Sequence, residues 1–153
     1  MRNRFEQFTA AISSIHRFIQ KIERDEMDKY GLKGASAQYL LAMERYPEGV
    51  TAAALCDICD RDKAAVSRIL SEMEAKGLIY RVNPGESQYR ALLALTPAGK
   101  EAADYVNHKA TIAVELAGKD LTEDDRRVLY ASLESIAANI RVLSHKGIPD
   151  DTK

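Results

Sequence analysis

The sequence predicts a mainly α fold with a small β-hairpin wing. It reads as a winged helix-turn-helix flanked by N- and C-terminal helices that form a dimerisation domain. Two observations carry this. Apolar residues recur at heptad-like helical spacing at both ends of the chain. Between them, a short helix, a tight break and a second helix run into two β-rich segments joined by a polar turn.

The first helix follows from Phe5, Phe8, Ile12, Ile15, Ile19 and Ile22, with Ala11 and Phe18 widening the stripe. Its charged tail runs from Glu23 to Lys29, and Gly31 and Gly34 stop it. A second helix is expected over about Ser36–Arg45, followed by a turn at Tyr46-Pro47-Glu48-Gly49. Thr51 stands as N-cap to a helix from Ala52 to Cys59, and Asp60-Arg61 is the break. Asp62 is the next N-cap, for a helix from Lys63 to Lys76 with Val66, Ile69, Leu70 and Met73 inward; Gly77 ends it.

Leu78–Val82 and Tyr89–Leu95 read as the two strands of a hairpin around Asn83-Pro84-Gly85-Glu86-Ser87. Thr96 then caps a helix that opens with Pro97. Thr122 with Asp125 resembles a capping box before the last helix, whose seam is Leu129, Leu133, Ile136, Ile140 and Leu143. The expected organisation is 1–33 and 97–146 as helical dimerisation region, 34–96 as winged module and 147–153 as frayed tail. Long helices on a small module leave apolar sides uncovered, which a symmetric homodimer would cover.

Composition narrows the function. The chain has 153 residues, 46% apolar and 29% charged, as in ordinary globular domains. It holds no apolar run long enough to span a membrane and no secretory signal pattern, so no membrane partner and a cytoplasmic location are expected. The 22 basic and 23 acidic residues nearly cancel, which at first speaks against nucleic acid. Their distribution speaks differently. Residues 61–90 hold 6 basic and 4 acidic side chains, whereas 34–60 hold 1 and 4.

The helix from Lys63 is built as a recognition helix. Lys63, Ser67, Arg68 and Ser71 lie on its polar side, and small Ala64 and Ala65 allow close approach to base edges or thymine methyls. Its amino end offers backbone N–H groups to a phosphate, with Thr51 capping the preceding helix nearby in sequence. Double-stranded DNA is therefore the expected partner. A winged module that binds protein instead is the competing reading, kept open by the modest positive balance of 61–90.

Here the chain resembles the MarR family of bacterial transcriptional regulators. The resemblance rests on Asp62-Lys63-Ala64-Ala65-Val66-Ser67-Arg68, on Glu74-Ala75-Lys76-Gly77-Leu78-Ile79 and on Leu95-Thr96-Pro97-Ala98-Gly99, in that order. It implies a homodimer on a pseudo-palindromic operator, one recognition helix per major groove and one wing per minor groove. The whole is read as a repressor responsive to a small ligand or oxidant.

The sequence departs from that family at two places. The family's Asp-Arg-Arg near the wing tip falls on Ser87, Gln88 and Tyr89, so Arg90, Arg81 and Gln88 are the candidates for the arginine-type wing contact, with Ser87 a further DNA contact. Asp60 replaces a common Gly, and Asp tolerates the left-handed region. The resemblance also implies a ligand cleft between dimerisation helices and winged module, which His16, Tyr39, Met43 and Tyr105 would line. Ordinary interface packing is the alternative for these four.

Other residues carry less. Cys56 and Cys59 form a CxxC, open to buried packing, redox sensing or metal binding; a zinc site lacks two further ligands. His16, His108 and His145 are scattered. No nucleophile elbow, GxGxxG or P-loop exists, so neither enzyme activity, nor a cofactor, nor a metal is expected.

Overall fold

The computed structural model describes residues 3–87 and 90–149. The described elements are α1 (Arg4–Met27), a 3-10 turn (Asp28–Tyr30), α2 (Ser36–Glu44), β1 (Val50–Thr51), α3 (Ala52–Cys59), α4 (Lys63–Ala75), β2 (Ile79–Arg81), β3 (Leu92–Leu95), α5 (Pro97–Ala117) and α6 (Glu123–Lys146). They fall into two compact units, Met1–Thr111 and Ile112–Lys153, with the boundary inside α5. No helix among the described residues is long and apolar enough to cross a membrane.

In the first unit the caps set the helix boundaries. Thr51 Oγ1 accepts from Ala54 N at 3.1 Å and opens α3. Asp60 turns left-handed at φ 51°, the one non-glycine residue with positive φ among those described. Asp62 Oδ1 then accepts from Ala65 N at 2.9 Å and opens α4. The predicted inward face holds: Val66, Leu70 and Met73 are buried, with Ile69 partly buried against the same core. That core also takes Met27, Tyr39, Leu40, Met43 and Leu55, and Ala102, Ala103 and Val106 of α5.

The sheet differs from the expected two-stranded hairpin. It has three antiparallel strands in the order β1-β3-β2. β1 pairs Val50 with Leu93 and Thr51 with Leu92, and β2 pairs Ile79 with Leu95 and Arg81 with Leu93. Both wing strands are shorter than predicted. Asn83 Oδ1 accepts from Leu92 N at 2.7 Å, so a side chain takes the place of the next ladder carbonyl. The Ser87 carbonyl accepts from both Arg90 N and Ala91 N at 2.9 Å, and Arg90 lies in a turn. Residues 88 and 89, which include the predicted start of the second strand, lie outside the described residues.

One junction joins the sheet to α5. Thr96 N donates to the Leu78 carbonyl at 3.0 Å, and Thr96 Oγ1 donates to the Gly77 carbonyl at 2.6 Å. The same hydroxyl accepts from Gly99 N at 3.1 Å, capping α5. Gly99 sits so close that a Cβ would lie 1.9 Å from the Leu78 oxygen. A hydrogen is the largest group this contact admits.

The second unit is described by itself. The capping box is present: Thr122 Oγ1 accepts from Asp125 N at 3.2 Å and Thr122 N donates to Asp125 Oδ2 at 3.0 Å. Arg126 Nη2 donates to the Gly118 carbonyl at 2.8 Å and pairs with Glu115 at 3.2 Å, tying the turn between the helices. α6 buries none of its described residues. Of the predicted tail, 147–149 carry no helix or strand and 150–153 lie outside the described residues.

The tightest contact yields a direct test. Gly99→Ala drives a methyl into a backbone oxygen, and overpacking of this kind costs about 1–3 kcal/mol. Urea denaturation should show a loss of about 2 kcal/mol. An unchanged midpoint would mean that the α5 start is not held against Leu78.

Candidate nucleic-acid interface

The helical period places Lys63, Ser67, Ser71 and Glu74 along one strip of α4, at steps of four, four and three. That strip forms one wall of a groove of about 300 Å³. Arg81 at the end of β2 and Ser87 in the wing form the opposite wall, with Ala52, Cys56, Leu70 and Leu93 lining the rest. Five of the residues predicted from sequence are thus brought together: Lys63, Ser67, Ser71, Arg81 and Ser87.

The other predicted contacts are placed differently. Ala64 and Arg68 are exposed on the strip beside the groove, and Ala65 is half-buried. Thr51 uses its hydroxyl as the α3 cap. Arg90 is exposed, but it sits in a turn and not on a strand, so strand alternation does not set its direction. Gln88 lies outside the described residues. The groove also contains an acidic residue missing from the predicted set. Glu74 Oε1 lies 3.2 Å from Arg81 Nε. The signal available was helical: Glu74 is eleven residues, three turns, beyond Lys63.

Charge is arranged to suit the amino end of α4. The Asp62 carboxyl is held below its usual range, first by the backbone hydrogen bond from Ala65 and further by the Arg68 guanidinium. Asp62 is used in capping, so it answers the helix dipole rather than the groove.

The expected four-residue ligand cleft is not assembled within this chain. Tyr39 is buried in the core, its hydroxyl without a hydrogen-bond partner among the described residues, and burial raises its pKa. Met43 is also core and borders a groove with Glu44, Pro47, Lys100 and Asp104. Tyr105 accepts a hydrogen bond from Lys29 Nζ at 2.9 Å, the ammonium lying 4.6 Å from its ring centre. His16 borders a separate groove of about 190 Å³ with Glu23, Arg24, Gln38 and Arg61. The four separate because two of them face the core of α2 and two face different surfaces.

Cys56 and Cys59 are free thiols, each partly buried. Cys56 borders the α4–wing groove, whereas Cys59 borders another groove beside Arg45 and Asn107. Burial pushes the Cys59 thiol up, against a smaller opposing pull from Arg45 and Arg61. Among the described residues no group of three metal-ligating side chains gathers.

The helix pair joined at Asp60, the three-stranded sheet and the groove between α4 and the wing define a winged helix-turn-helix protein. Residues 30–88 match the model of the MarR family. Solved structures extend the likeness over the chain. A MarR-family transcriptional regulator from Silicibacter pomeroyi is 25% identical, with 86% of this chain and 88% of that one covered and a TM-score of 0.73. A MarR-family regulator from Listeria monocytogenes, solved with a 26mer DNA, is 22% identical, with 99% and 100% covered and a TM-score of 0.79. A MarR regulator from Methanosarcina mazei is 22% identical, with 94% of each chain covered and a TM-score of 0.77. No curated protein matches the chain by sequence.

The Asp62 cap generates a pH prediction. Its folded-state pKa is lowered, so its stabilisation is present above the unfolded carboxylate pKa and is lost as pH falls through the lower folded value. Acid titration of stability should therefore be shallower in Asp62→Asn, which keeps an acceptor but not the charge. Superimposable acid limbs would show that the cap's charge contributes nothing.

Proposed function

We propose that the protein is a homodimeric, sequence-specific DNA-binding transcriptional regulator, acting as a repressor. The observation that carries this reading is the α4 surface, where Lys63, Ser67 and Ser71 line a groove shared with Arg81 and the adjoining strip presents Arg68 and Ala64. A helix of 13 residues with small side chains at its amino end suits a major groove, and the wing beside it suits the neighbouring backbone. The Listeria monocytogenes relative, solved with a 26mer DNA, supports the same partner here. The MarR-family match over residues 30–88 supports the regulatory role.

Two copies would address two half-sites about one DNA turn apart, roughly 34–36 Å. The apolar seams support the second copy. Phe5, Ile15 and Phe18 of α1 are more than half exposed, as are Val128 and Ile140 of α6. Exposed stripes of this length are characteristic of an interface. The dimerisation region is then 1–33 with 97–146, and the winged module 34–96.

Ligand control would act on the spacing of the two α4 helices. A ligand shifts it only by binding the DNA-competent and incompetent states differently. Of the four residues expected to line a ligand cleft, His16 borders a groove with Arg24 and Arg61. An oxidant response through the CxxC gains no support from Cys59, since the reactive form is the thiolate and burial pushes that thiol's pKa up.

The test begins by selecting duplex DNA from a random pool with the unaltered protein. Lys63→Ala with Arg68→Ala should then weaken binding of the selected duplex about tenfold to a hundredfold, the range for loss of one good base contact or more. Log affinity should fall with log salt by about 0.9 per phosphate neutralised. Failure to select any sequence, or affinity indifferent to salt, would favour a protein-binding module. Dimerisation is tested separately by light scattering: Leu133→Glu with Ile140→Glu should abolish the twofold mass. A wild-type monomer mass at micromolar concentration would reject the homodimer.

A further inference from the structure

We propose that Glu74 is a positioning residue that holds Arg81 in place as the cation with which the wing grips the sugar–phosphate backbone. This rests on the DNA-binding reading above and assigns the wing contact within it.

The groove lining carries two cations, Lys63 where α4 begins and Arg81 across from where it ends. The backbone of Arg81 is fixed, because it pairs in register with Leu93 in the sheet centre. Its side chain is fixed as well. Arg81 Nε donates to Glu74 Oε1 at 3.2 Å, bridging β2 and α4 across the Gly77 turn. A guanidinium has five N–H donors, and this bond uses the single one on Nε. The two terminal amino groups keep the planar fork that matches phosphate oxygens.

The alternatives fit less well. The Glu74 and Arg81 side chains are 40% and 32% exposed, and pairs this open contribute little to stability. A purely structural role therefore does not explain a carboxylate placed in a groove meant for polyanionic DNA. Arg90, the other described wing arginine, sits on a turn with no strand pairing. Ordering Arg81 before binding removes part of the entropy loss at contact, an effect worth roughly threefold to tenfold in affinity for one long side chain.

A double-mutant cycle on the selected duplex decides the matter. Glu74→Ala should weaken binding about threefold to tenfold, and Arg81→Ala by tenfold or more with a salt slope smaller by about 0.9. In the Arg81→Ala background, Glu74→Ala should have no further weakening effect. Glu74→Gln should bind at least as well as the parent, because its amide oxygen still accepts from Nε. Unchanged thermal midpoints would establish that every variant is folded. Tighter or unchanged binding by Glu74→Ala, or equal weakening in both backgrounds, would overturn the proposal while leaving DNA binding intact. Absence of DNA binding by the unaltered protein would overturn both.

Discussion

Thr96 and Gly99 bring the start of α5 onto the backbone that leaves α4, and much of the first unit depends on that contact. Lys76, Gly77 and Leu78 separate α4 from β2, and the carbonyls of Gly77 and Leu78 both accept hydrogen bonds from Thr96. The side-chain-free face of Gly99 lets a helix pack against peptide backbone instead of against side chains. One end of α4, the root of β2, the end of β3 and the start of α5 are thereby joined over a few ångströms. The groove between α4 and the wing exists because its two walls share this root.

Electrostatics work locally in this molecule. A chain with 22 basic and 23 acidic residues has no overall field to draw in DNA. What it has instead is a few cations at defined positions around α4, with one carboxylate, Glu74, in the groove beside them. Such a surface depends on geometry for its selectivity. Contacts made by ordered side chains at short range lose less to screening than diffuse attraction does. On this account, non-specific association should be weak relative to that of a strongly basic regulator.

Much of this was legible in the sequence where local chemistry decides structure. Thr51, Asp62, Thr96 and Thr122 announce their helices because capping involves only residues two or three positions away. Asp60 could be read as the left-handed break for the same reason. Non-local pairing was not legible. β1 is two residues long and exists only through Leu92 and Leu93, some forty positions later. Thr51 had already been accounted for as a cap, which concealed its second role. Glu74 was missed because its partner is seven residues away across a turn, a spacing no single helix would couple. The ligand cleft failed as a grouping because Tyr39 and Met43 belong to the core, a distinction that helical periodicity in a nine-residue helix hardly resolves.

The exposed seams of α1 and α6 were legible as seams, but their occupant is a matter for solution measurement. They join the account at one point, since two wings and two recognition helices need a fixed separation to read DNA as a pair. Hydroxyl-radical footprinting of the unaltered protein on its selected duplex tests that most directly. The account predicts two protected blocks on one face of the duplex, about 10–10.5 base pairs apart centre to centre, or a whole multiple of that. A single block, uniform protection or none would contradict it.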